Sequence, residues 1–118
     1  MRKTIGVTDE NRKVLAKLMQ DSCFDEERDA ALFAMAYAID KDSPSGQTGA
    51  STIWSTTAFL PNKHLEGTLS AFYPGEDDYA ELLQHLINEG CKLIKKDGVH
   101  KNIAEHLKSL ERAKLTEG

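Results

Sequence analysis

Cysteine, proline and aromatic residues are all scarce in this chain. Of its 118 residues only two are cysteine, three are proline, and the aromatics are one Trp, three Tyr and four Phe. Cys23 and Cys91 lie in different segments. That spacing excludes a disulfide framework or a Cys-x-x-Cys redox or zinc motif, and unpaired thiols point to a reducing, cytoplasmic compartment. With so few aromatic rings the core has to be aliphatic. No apolar run approaches the roughly 20 residues of a membrane span, and Met1-Arg-Lys is followed by too few apolar residues for a secretory leader. The sequence therefore predicts a cytoplasmic protein with no membrane contact. His64, His85, His100 and His106 show no paired metal-ligand spacing. The stretch Gly46-Gln-Thr-Gly-Ala-Ser-Thr52 lacks the Gly-Lys-Ser/Thr ending of a phosphate-cradling loop. No nucleophile with an adjacent activating base stands out, so neither an enzyme nor a cofactor is predicted.

The length fits a single domain over residues 1–118. Its most informative segment is Ala30-Ala-Leu-Phe-Ala-Met-Ala-Tyr-Ala-Ile39, ten small or apolar residues in a row. A helix apolar on every side must be covered on nearly every side. It is either the pillar of a small domain or the heart of a dimer, and we expect a homo-oligomer built on it. Net charge is −4, which favours solubility over general attraction to nucleic acid. The charge is unevenly spread. Residues 21–29 hold five acids against Arg28, whereas residues 92–114 hold seven basic side chains against three acids.

Periodicity fills in the rest. Ile5 and Val7 alternate with Thr4 and Gly6, a short strand. Thr8 or Asp9 caps a helix with Val14, Leu15, Leu18 and Met19 as its stripe, and the apolar helix starts near Asp25. Eleven of the seventeen residues over 42–58 are Ser, Thr, Gly or Pro. This is loop chemistry, with two weak strands around Ile53 and Phe59 as the alternative. A helix follows Pro61-Asn62 and stops at Tyr73-Pro74-Gly75. The longest runs over Glu76–Lys96, acids first and lysines last, and ends at Asp97-Gly98. A last helix from Val99 places Ile103, Leu107 and Leu110 on one face. The fold predicted is mainly α: a short N-terminal strand, then a four- to five-helix bundle. Its parts are a strand–helix–helix block (2–40), a Ser/Thr/Gly-rich loop (41–60) and a helical part (61–115).

The order strand, helix, turn, apolar helix within residues 2–39 resembles the ribbon-helix-helix family of DNA-binding proteins. In that family two chains pair their strands into a ribbon that enters the major groove. The resemblance implies a homodimer, with base-reading positions at Arg2, Thr4 and Gly6 and Lys3 beside them. Gly6 has no side chain to read a base, and Asp25, Glu26, Glu27 and Asp29 crowd the helix start that holds a phosphate in the family. Over most of its length the chain also resembles a group of small bacterial proteins associated with DNA phosphorothioation and related defence operons. The matching segments are Ile5-Gly-Val-Thr-Asp, Asp29-Ala-Ala-Leu-Phe-Ala-Met-Ala-Tyr-Ala, Tyr79-Ala-Glu-Leu-Leu and Asn88-Glu-Gly-Cys-Lys-Leu-Ile-Lys. This implies an accessory protein of a DNA-modification or antiphage system, with double-stranded DNA and a protein of the same operon as partners. Lys95, Lys96 and Lys101 form a rival DNA-contacting patch. The alternative is a protein–protein adaptor with a dimeric helical core and no DNA contact.

Overall fold

The structure is a computed structural model that describes residues 4–21, 24–50 and 52–98. Strand β1 (Thr4–Gly6) leads into helix α1 (Asp9–Asp21) and helix α2 (Glu27–Asp40). Strand β2 (Thr52–Ser55) and a single 3₁₀ turn (Thr56–Ala58) follow. Helices α3 (Lys63–Phe72) and α4 (Tyr79–Asp97) complete the fold. The predicted class is therefore present: mainly helical, with four α-helices among the described residues and a strand at the start. The final predicted helix, from Val99, lies outside the described residues.

Local chemistry sets the helix ends. The Thr8 hydroxyl accepts from Asn11 N–H, Asn62 Oδ1 from Leu65 N–H and Asp78 Oδ1 from Glu81 N–H, each satisfying an N–H that the first helical turn leaves open. Gly98 closes α4 with φ 71° while its N–H bonds the Ile94 carbonyl, a left-handed cap that glycine adopts without a Cβ clash. The Leu60–Pro61 peptide is cis.

The core forms where α2 lies on α4. Ala30, Ala31, Ala34 and Ala38 are all fully buried, as are Leu82, Leu83, Leu86, Ile87 and Ile94. Small residues on α2 let the two backbones approach closely. At Gly90 the approach is so tight that a Cβ would overlap the Ala34 carbonyl. Helix α1 packs Val14, Leu15 and Leu18 into the same cluster. Thus α2 is the pillar of a single chain. Most of its apolar residues are buried without a second subunit, while Leu32 is half-buried and Ala36 exposed.

The strand is where the structure departs from the ribbon-helix-helix expectation. β1 pairs antiparallel with β2 of its own chain, matching Thr4 to Ser55, Ile5 to Trp54 and Gly6 to Thr52, with an irregularity between Ile5 and Gly6. Side chains of α4 also bond the Gly6 N–H and carbonyl and the Thr8 N–H. β2 and α4 thus use the backbone groups that a two-chain ribbon would draw on, and Gly6 is buried instead of facing a groove. The physical reason lies in the 42–58 stretch. Its Thr52–Ser55 segment is a real strand, and an intramolecular partner is always at hand.

Candidate functional site

Three features carry polar or uncovered surface, and each arises from helix periodicity. The first is a polar seam on α4. Gln84 and Asn88 stand one turn apart on a face that is otherwise apolar, and both are fully buried. Gln84 Oε1 accepts from Gly6 N–H at 2.8 Å, and its Nε2 donates to the Thr48 carbonyl. Asn88 Oδ1 accepts from Thr8 N–H at 3.0 Å and from Asn11 Nδ2 at 2.9 Å; its own Nδ2 donates to the Gly6 carbonyl at 3.1 Å. His85, buried beside them, meets the Pro44 carbonyl through Nε2 at 3.1 Å and the Thr48 hydroxyl through Nδ1 at 2.9 Å. A carbonyl only accepts, so Nε2 donates to Pro44. Gly46 lies flat on the ring, where a Cβ would sit 2.9 Å from Cε1.

The seam is a clamp. It fixes β1 on one side and the 43–48 segment on the other, and no buried side-chain N or O among the described residues lacks a partner. The Thr48–His85 contact has the distance of a nucleophile and its base, yet neither residue lines any of the three clefts described below. His85 shares helix spacing with Glu81 and Glu89, but its two ring nitrogens meet Pro44 and Thr48. Among the described residues no three His, Cys, Asp or Glu side chains converge as metal ligands. Burial pushes the Cys91 thiol up to about 12, which keeps it protonated and unreactive.

The second feature is a cationic cleft of about 300 Å³ between α1 and the end of α4. It is lined by Lys13 and Lys17, one turn apart on the exposed side of α1, by Lys95 of α4, and by Glu10 and Val14. Among the described residues none of the three lysines forms a salt bridge. Lys92, Lys95 and Lys96 are all exposed over the last two turns of α4, and Lys92 pairs with Glu89 at 3.5 Å. Of the sequence-predicted Lys95 and Lys96, both exposed, Lys95 shares the cleft with the lysines of α1. Thr4 is elsewhere, half-buried in the β1–β2 pair. Arg2, Lys3 and Lys101 lie outside the described residues. Lys13 and Lys17 were missed by sequence reasoning. Their i, i+4 spacing beside the Val14/Leu18 stripe puts them on one flank of α1, but only the packing of α1 on α4 brings them to Lys95.

The third feature is a groove between α2 and α3. Two clefts of about 480 and 370 Å³ share Met35 and Thr68 and run from Arg28 and Asp29 to Asp40 and Asp42. Leu32, Met35, Ile39, Leu65 and Phe72 give it an apolar lining. Phe72 is 61% exposed, the one large hydrophobic side chain so open among the described residues. No helix among the described residues is long and apolar enough to cross a membrane. Comparison with protein families, curated proteins and solved structures finds no match for this chain.

Proposed function

We propose that the protein is a non-enzymatic accessory module that associates with duplex DNA through the lysine face around the α1–α4 cleft, and not through β1. The observation that carries this reading is the convergence of Lys13, Lys17 and Lys95 from two helices on one cleft with a single acid, Glu10. Three ammonium groups with no salt-bridge partner among the described residues attract phosphate and release its condensed counterions, which is the main source of sequence-independent DNA affinity. Lys96, the next residue along α4, is also exposed. The resemblance of residues 5–9, 29–38, 79–83 and 88–95 to DNA-phosphorothioation and defence-associated proteins supports an accessory role in such a system.

The test is fluorescence anisotropy of a labelled duplex at low and at physiological salt. Three or four phosphate contacts give a log–log salt slope of about −3 to −4, and non-specific dissociation constants of about 10⁻⁴ to 10⁻⁶ M at physiological salt. Lys95→Ala/Lys96→Ala and Lys13→Ala/Lys17→Ala should each flatten that slope by about two. Undiminished binding in both double variants, or no binding at low salt where attraction is strongest, overturns the proposal.

A further inference from the structure

The α2–α3 groove shares no residue with the lysine cleft and is open for a physical reason. Helix α3 is anchored through Leu69, fully buried, and through Tyr73, whose hydroxyl donates to the Ser43 carbonyl at 2.6 Å. Its last residue, Phe72, lines the groove opposite α2 and is 61% exposed. Between them Met35 and Ile39 form a floor, and half-buried Leu32 and Leu65 form the far wall. An open aromatic beside a methionine floor is the composition of surfaces that accept another protein's side chains.

The rim states what kind of partner fits. Asp29, Asp40 and Asp42 border the groove along its α2 side, and all three are exposed. The one arginine or lysine in the lining, Arg28, is already engaged by Glu26 at 3.1 Å and by the Ala58 carbonyl at 3.3 Å. The rim therefore carries a net negative field that no cation of the groove neutralises. From residue 28 to residue 40, α2 spans about 18 Å at 1.5 Å per residue, or about three helical turns. We propose that this groove docks a three-turn amphipathic helix of a partner protein, its apolar stripe on Met35, Leu32 and Phe72 and its flanking lysines or arginines against Asp29, Asp40 and Asp42. Apolar contact supplies affinity in such helix-in-groove docking, and the acidic rim selects a basic flank and speeds encounter.

The experiment uses the full chain and two labelled 14-residue probe peptides. One is an amphipathic leucine–lysine helix; the other has every lysine replaced by glutamate. The lysine peptide should saturate at one per chain, and the glutamate peptide should not bind. Phe72→Ser, an exposed position that leaves the core intact, should weaken the lysine peptide about tenfold or more, as loss of an aromatic anchor does. Asp40→Asn should weaken it a few-fold at low salt and not at high salt, about what a rim charge contributes. Sedimentation velocity of the free chain covers the other occupant. A dimer that Phe72→Ser dissociates would place a second copy in the groove and overturn the proposal. So would equal binding of both peptides, no binding, or binding that Phe72→Ser leaves unchanged. None of these outcomes bears on the lysine face, whose DNA test reads different residues.

Discussion

Single atoms decide much of this fold. Gly90 exists because α4 passes over Ala34 with no room for a methyl group. Gly90→Ala must either drive the helices apart or bend one of them. We expect it to lie at or above the top of the roughly 1–3 kcal/mol range for overpacked cores, read as a lower urea midpoint. Cys91, one position on, carries a pH signature. Burial lifts its thiol from 9.0 to about 12. Tyr37 shifts upward too, first by burial, then through its 2.5 Å hydrogen bond to the Asp97 carboxylate and the charges of Asp97 and Asp40. Both groups hold their protons more tightly folded than unfolded. Their contribution to stability is complete below the unfolded values and is lost as pH rises through the folded ones. Stability should hold up to about pH 9 and fall between about 9 and 12. Cys91→Ala should flatten the part of that fall that begins near pH 9, with the residual slope starting near 10, where an unfolded tyrosine titrates. Urea midpoints across this range check both statements.

Among the elements, α4 does the most, since one face fills the core and another clamps β1 and the 43–48 segment. The two ends of that work differ in cost. Gly98→Ala strains a single left-handed residue at the end of α4 and should cost about 1 kcal/mol. Asn88→Ala removes the partner of the Thr8 N–H, of Asn11 Nδ2 and of the Gly6 carbonyl at once. At about 1–3 kcal/mol for each buried group left unpaired, it should cost clearly more than Gly98→Ala. Thermal unfolding of the two variants side by side tests the order. The same contrast explains what the sequence reveals. Helix ends are local events, so Thr8, Asn62 and Gly98 announce them, whereas the run of acids Glu76-Asp77-Asp78 puts the start of α4 three residues early. The buried stripe of α4 is equally plain, and the 52–55 strand is visible as an alternative to loop. What β1 pairs with is not local. The alternation of Ile5 and Val7 is the same whether the partner strand belongs to this chain or another, and Gln84 and Asn88 read as two amides in an apolar stripe until β1 lies across them. The lysine face is half legible for the same reason: Lys95 and Lys96 stand out as a run, while Lys13 and Lys17 join them only through packing.

Over the whole molecule these clamps tie the chain's beginning to its late helix. β1 is held by β2 on one side and by Gln84 and Asn88 on the other. β2 carries Trp54, the sole tryptophan, which packs edge-on against Phe59 with ring centroids 5.3 Å apart. An isolated two-stranded pair is marginal in water, so this one depends on α4 for its stability. Trp54 fluorescence reports on the pair, whereas far-UV circular dichroism reports on the helices. If the pair is bound through the α4 amides, both signals should follow one urea transition with a common midpoint, as a single cooperative unit requires. Gln84→Ala should separate them. The Gly6 N–H then loses its α4 partner, the pair loosens, and the Trp54 signal should move to lower urea while the helical transition moves less. Coincident curves in the variant would mean that Ile5, fully buried, holds the strand in place without the amide. The clamp would then govern register and not cohesion.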